Sequence, residues 1–107
     1  MADELKRINA LQRKIIVASI AYYEYDERIM SDYDYDVMGQ KLKELMDGYP
    51  EKEQSRYWYA FEEWTGATGC FLRSRLNPTD RTLLEEAAML ACEEAAMLRE
   101  EIGYADR

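Results

Sequence analysis

Apolar residues recur at three- and four-residue steps through the first quarter of the chain: Leu5, Ile8, Leu11, Ile15, Ala18 and Tyr22. That spacing lays them along one helical face and predicts a helix from residue 3 to about residue 25. Ile16, Val17 and Ile20 widen the stripe, so this helix is expected to be buried on much of its surface. No glycine or proline interrupts it. Residues 27 to 31 then read as a loop, with Ser31 as the N-cap of a second helix and Asp34 as an acidic variant of the capping box. Tyr35, Met38, Leu42, Leu45 and Tyr49 form the apolar seam of that helix, which ends at about Asp47, before Gly48 and Pro50. A short loop between helices makes antiparallel neighbours, so residues 1–50 are expected to form a helical hairpin.

Residues 51–76 form an aromatic connector whose pattern is ambiguous. The run Arg56-Tyr57-Trp58-Tyr59-Ala60-Phe61-Glu62-Glu63-Trp64 favours a strand by composition, while its Phe61/Trp64 spacing fits a helical turn. With the turn Thr65-Gly66-Ala67-Thr68-Gly69 and the run Cys70–Leu76, it reads either as a small β-hairpin or as a short helix plus extended loop. Tyr57, Trp58, Tyr59, Phe61 and Trp64 are most simply core packing against the hairpin. Asn77-Pro78-Thr79-Asp80 starts a third helix, with Asn as cap and Pro in the first turn. It is expected to run to about Ile102 and stop at Gly103, so that residues 77–103 are an acidic C-terminal helix. Leu83, Leu84, Ala87, Ala88, Leu90, Ala91, Met97, Leu98 and Ile102 line it, and its alanines permit close approach to another helix. The expected fold is a mainly α single domain: an antiparallel helical hairpin, an aromatic turn region and a long last helix.

The hairpin brings together an unusual run. Residues 22 to 36 hold five tyrosines, six carboxylates and one basic residue, Arg28. Folding at the loop places Tyr22 and Tyr23 across from Asp32, Tyr35 and Asp36. Tyrosine faces attract a flat cation, and carboxylates accept hydrogen bonds from sugar hydroxyls or amide N–H groups. The alternative for Asp32, Asp34 and Asp36 is structural, since acids in a first turn suit caps and the helix dipole.

The same run resembles a family signature. Tyr22-Tyr23, Asp26, Met30-Ser31-Asp32 and Tyr35-Asp36, followed by Gln40-Lys41-Leu42-Lys43-Glu44-Leu45, are similar to the N-terminal Ia subdomain of the bacterial NAD-dependent DNA ligases. The resemblance covers residues 5 to 50, and it departs from the family at Arg28, where proline is usual, and at Tyr33-Asp34, where Ala-Glu is common. It implies a grip on the nicotinamide mononucleotide (NMN) half of NAD. Tyr22 and Tyr23 would pack on the nicotinamide, Asp32 and Asp36 would make polar contacts to the ring amide or ribose, and Tyr35 would line the pocket. It does not imply ligation. In the family the nucleotidyl-transfer lysine lies in Lys-x-Asp-Gly, whereas the Asp-Gly here is Asp47-Gly48 with Leu45 in the lysine position. A ligase-like subdomain of this size also looks like small ligase-related proteins of bacteriophage and prophage genomes.

Composition narrows the choices. The chain has 107 residues, 48% apolar and 34% charged, which suits one folded domain. Its net charge of −8 disfavours direct nucleic-acid binding, where Lys and Arg must neutralise phosphates. It favours a small ligand or a basic protein partner, and Glu85, Glu86, Glu93 and Glu94 are the candidate surface for that partner. The expected location is the cytoplasm, that of the host cell if the chain is phage-encoded. The absence of histidine removes His-assisted catalysis, and the chain is expected not to be an enzyme. The acid spacing lacks the glycine and terminal glutamate of a calcium loop, so no metal site is expected. Cys70 and Cys92 read as reduced thiols. The apolar run Ile15–Ala21 is too short to span a membrane and lacks the context of a secretory signal. Arg73, Arg75 and Arg81 either pair with the surplus glutamates or fold back toward a ligand phosphate. Two functions remain alongside each other: a non-catalytic binder of NMN or NAD, and an acidic inhibitor of a host nucleic-acid enzyme, of the DNA-mimic or anti-CRISPR kind. A regulator of host ligase that mimics its subdomain is a third.

Overall fold

The structure, a computed structural model, describes residues 2–66 and 69–102. Its elements are α1 (Ala2–Tyr25), α2 (Asp32–Gly48), a 3-10 turn (Lys52–Gln54), α3 (Trp58–Phe61), α4 (Leu72–Arg75) and α5 (Pro78–Ile102). Among the described residues there is no strand, so the connector takes the helical alternative. The tyrosines and tryptophans there have strand propensity, but propensity of that kind reports packing on a pleated surface and yields when another packing is available. Tyr57, Phe61 and Trp64, just before, at the end of and just after the one-turn α3, are buried in the core, with Phe61 and Trp64 edge-to-face at 5.0 Å. Trp58 and Tyr59 are half-buried at its margin. Gly103 lies outside the described residues.

The centre of the molecule is α1. All seven residues of Ile15–Ala21 are buried, because α2, α4 and α5 pack around this stretch. Each isoleucine withdrawn from water contributes roughly 1.5–3 kcal/mol, so this segment anchors the fold. Of the predicted α2 seam, Leu42 and Tyr49 are buried and Tyr35, Met38 and Leu45 are half-buried against the core, while Met46, which that seam did not include, is buried as well. Ser31 caps α2 as expected, accepting the Asp34 N–H at 3.0 Å.

A buried glutamine fixes the connector to α1. Gln12 donates to Ser55 Oγ at 2.9 Å and accepts the Tyr57 N–H at 3.0 Å, so its amide is satisfied without water. The start of α5 is tied down by Asp80, which is 2% exposed. Its carboxylate receives both Arg56 guanidinium nitrogens, the Tyr59 hydroxyl and the Asn77 amide, while its N–H donates to Asn77 Oδ1 at 2.8 Å, completing the predicted cap. The Arg56 N–H in turn donates to Asn9 Oδ1, and at the other end Arg99 bonds Glu27 through both guanidinium nitrogens. α5 therefore runs beside α1 in the same direction.

The last helix differs from expectation in how its apolar residues are used. Leu84 and Ala88 are buried and Ala87 and Ala91 pack against the core, but Leu83, Leu90, Met97 and Leu98 are exposed. Apolar residues occupy too wide an arc of this helix for one neighbour to cover. No helix among the described residues is long and apolar enough to cross a membrane.

Candidate functional site

The turn between α1 and α2 makes the site. α1 ends at Tyr25, and Asp26 takes a left-handed conformation (φ 52°), which a short polar side chain tolerates better than a branched one. The Glu27 N–H then folds back to the Ala21 carbonyl at 2.9 Å. This reversal sends Arg28, Ile29 and Met30 across the end of α1 and starts α2 beside it. A cleft of about 320 Å³ opens there, walled by Tyr22, Tyr23, Asp32, Tyr35 and Asp36 and floored by Ala18, Ser19, Ile29 and Met30. The five residues singled out from the sequence thus share one concavity. Of the positions where the chain departs from the family pattern, Arg28 lines the cleft, whereas Tyr33 and Asp34 do not, and Tyr33 is 75% exposed.

The walls have distinct physical roles. Tyr22 and Tyr23 meet edge-to-face at 4.9 Å and 85°, so their rings present perpendicular surfaces. Each remains nearly half exposed, at 43% and 48%, which leaves ring surface for a ligand. Tyr35 is different. Its hydroxyl lies 2.9 Å from Ser19 Oγ, which itself donates to the Ile15 carbonyl, and the Gly69 backbone bonds the same phenol. Burial pushes this phenol above its ordinary pKa, so the group stays neutral. Tyr35 is therefore a fixed wall whose polar end is already satisfied by the protein.

Gly69 closes the back of this wall. A Cβ there would sit inside 3.0 Å of Ser19 Oγ, of the Tyr35 hydroxyl and of Leu72 Cδ1. Ser19 and Gly69 were not among the sequence-predicted residues. Ser19 did leave a signal, as the one polar side chain within the apolar run Ile15–Ala21. Gly69 left none, because its approach to α1 is made by tertiary packing across fifty residues of chain.

The cleft already attracts a cation. The Arg28 guanidinium lies 5.8 Å from the centre of the Tyr22 ring and 3.6 Å from an Asp32 oxygen. Both contacts are exposed, and pairs of this kind contribute under about 1 kcal/mol. The other arginines serve elsewhere. Arg73 pairs with Glu85, Arg75 with Glu63, and Arg81 donates to the Leu76 carbonyl at 3.0 Å. The basic cluster thus neutralises glutamates and caps carbonyls instead of reaching the cleft. Glu85 is correspondingly half-buried and engaged with Arg73, whereas Glu86, Glu93 and Glu94 stay exposed on the outside of α5.

Hairpin and cleft together define a helical module with an aromatic and acidic concavity at its bend. The family described as DNA ligase-like, N-terminal NAD+-binding domain matches residues 1–55, and the chain belongs to it. DNA ligases from Thermoanaerobacter sp. (strain X514) and from Thermoanaerobacter pseudethanolicus (strain ATCC 33223 / 39E) are each 41% identical to it over 49 residues. That segment is 46% of this chain and 7% of the length of either ligase, so the chain spans a small fraction of these relatives. No solved structure matches the chain.

Proposed function

We propose that this chain is a non-catalytic module that binds the nicotinamide mononucleotide half of a nicotinamide nucleotide in the α1–α2 cleft. The observation that carries this reading is the convergence of Tyr22, Tyr23, Asp32, Tyr35 and Asp36 on one concavity in a chain of the NAD+-binding family. The chemistry is complementary. The nicotinamide ring of NMN is a flat cation, suited to tyrosine faces and to a carboxylate, Asp32, that already holds a guanidinium. Its amide and ribose offer the N–H and O–H donors that Asp32 and Asp36 accept. The cleft volume lies at the small end of ligand pockets, which fits one nucleotide half better than a whole dinucleotide. The Lys-x-Asp-Gly nucleophile motif of the ligases is not in this sequence, which supports binding without adenylyl transfer.

Isothermal titration calorimetry with NMN, nicotinamide riboside and AMP tests the reading. NMN is expected to bind with a Kd on the order of 0.1–1 mM, because an open cleft with half-exposed walls immobilises little of the ligand surface. Tyr22→Ala and Asp36→Ala are expected to abolish the heat while leaving the circular dichroism spectrum unchanged, since both side chains are exposed. Absence of heat at millimolar NMN, or equal binding of AMP, refutes it.

A further inference from the structure

Away from the cleft, α5 carries a second apolar face. Leu83, Leu90 and Met97 are 57%, 60% and 61% exposed and follow one another at seven-residue steps. Two such steps advance about 21 Å along a helix and drift only some 20° each, so the three side chains form one straight row. Leu98 and Met89, at 57% and 48% exposure, lie roughly 80–100° around the helix to either side of the row, beyond the glutamates that flank it. The residues that pack α5 onto α1, Leu84 and Ala88, lie on a different arc. Single exposed leucines are ordinary, but three large apolar side chains repeated at heptad spacing on one exposed face have the pattern of a helix-docking surface.

The charges beside the row select what can cover it. Glu86, Glu93, Glu94, Glu100 and Glu101 are all exposed on the same helix. Between Thr82 and Leu98 the sequence holds no Lys or Arg. The neighbouring cations, Arg73 and Arg99, are committed to Glu85 and Glu27 on the inner side. A second copy of α5 laid against the first would set glutamates against glutamates in either direction, which is destabilising. A helix with lysine or arginine at those flanks would instead form ion pairs along both edges of an apolar seam.

We infer that the Leu83–Leu90–Met97 face of α5 is a docking site for a basic amphipathic helix of a partner protein, one with aliphatic side chains at heptad spacing and Lys or Arg beside them. The apolar row supplies the buried contact, and the glutamates set the sign of the partner and speed its encounter. This surface is separate from the α1–α2 cleft, so the two can be occupied at once and can fail independently.

The test uses the intact chain and a fluorescein-labelled three-heptad peptide with Leu at its seam positions and Lys at the flanking positions. A second peptide carries Glu in place of every Lys. Fluorescence anisotropy is expected to show saturable binding of the lysine peptide, weakened by added salt, and none of the glutamate peptide. Leu90→Ser with Met97→Ser is expected to weaken binding about tenfold or more. Glu86→Lys with Glu93→Lys is expected to transfer binding to the glutamate peptide. All four residues are exposed, so circular dichroism should show unchanged helicity. The inference is overturned if the lysine peptide does not bind, if both peptides bind alike, or if the Leu90/Met97 variant binds as well as the parent. It is also overturned if sedimentation shows a dimer of the chain that the same two substitutions dissolve, since a second copy would then be the occupant.

Discussion

Substituting Gly69 by alanine tests the argument that the connector holds the cleft wall in place. The added methyl group meets three atoms inside 3.0 Å, and none of them can retreat cheaply. Ser19 Oγ is on a buried helix and is held to the Ile15 carbonyl at 2.7 Å. The Tyr35 hydroxyl is the end of a rigid ring, and Leu72 is fully buried. Relief requires Tyr35 to tip into the cleft or the connector to back away from α1. Overpacking of this kind costs about 1–3 kcal/mol. Loss of the Ser19–Tyr35 hydrogen bond adds about 1 kcal/mol, giving roughly 2–4 kcal/mol in all. Urea denaturation monitored by circular dichroism should show the unfolding free energy falling by that amount, as a lower midpoint at unchanged slope, with Tm lower by on the order of 10 °C. Gly48→Ala is the control. A Cβ at Gly48 has nothing within 4 Å, and the residue ends α2 in the solvent, so the change should be neutral or stabilise by up to about 1 kcal/mol. Tyr35→Phe removes one of the obstructing oxygens, so Gly69→Ala should cost less in that background than in the parent, a coupling that a double-mutant cycle reads directly. A Gly69→Ala protein as stable as the parent, or costs that simply add, would refute the account of the wall.

Further predictions concern charge and pH. Arg28→Ala is expected to raise affinity for nicotinamide riboside by up to about fivefold, because a cationic ring need no longer displace the guanidinium from Tyr22 and Asp32; a fall in affinity by calorimetry counts against a shared cation site. Asp80→Ala should destabilise the fold by about 2–3 kcal/mol in urea, since Tyr59 and Arg56 lose their acceptor and half-exposed Arg56 recovers only part of its hydration; a change below about 0.5 kcal/mol would remove the anchoring role. The Arg56 guanidinium, helped by Tyr59 and Asn77, holds the Asp80 carboxyl below the usual carboxylate range. Its stabilisation is therefore complete above the unfolded-state pKa and lost as pH falls through the lower folded-state value, and the acid limb of a Tm-against-pH curve should flatten in Asp80→Asn. The Tyr35 phenol has the opposite sign: raised by burial, it contributes fully below its unfolded-state pKa and loses stability as pH rises through the folded-state value. Tyr35→Phe should flatten the alkaline limb, and an unchanged limb would place the titration elsewhere.

Much of this molecule was legible along the chain. The three long helices follow from apolar periodicity, and their starts from Ser31 and Asn77, because a cap and a helical face are local properties of a few neighbouring residues. The cleft residues were legible for the same reason. A short turn between two helices leaves little choice about which side chains face each other, so Tyr22 and Tyr23 meet Asp32, Tyr35 and Asp36. What sequence left open was decided by distant partners. The connector became helical turns when its aromatics found the α1–α2 core. Arg73 and Arg75 took glutamates twelve residues away instead of facing the cleft. Gly69 became a brace for Tyr35, and the apolar residues of α5 were divided between a buried arc and an exposed row. A helical period records which residues share a face, but which face is covered depends on how much neighbouring surface the rest of the chain can supply. Here α1 is covered on all sides along Ile15–Ala21, whereas α5 is covered on one side alone.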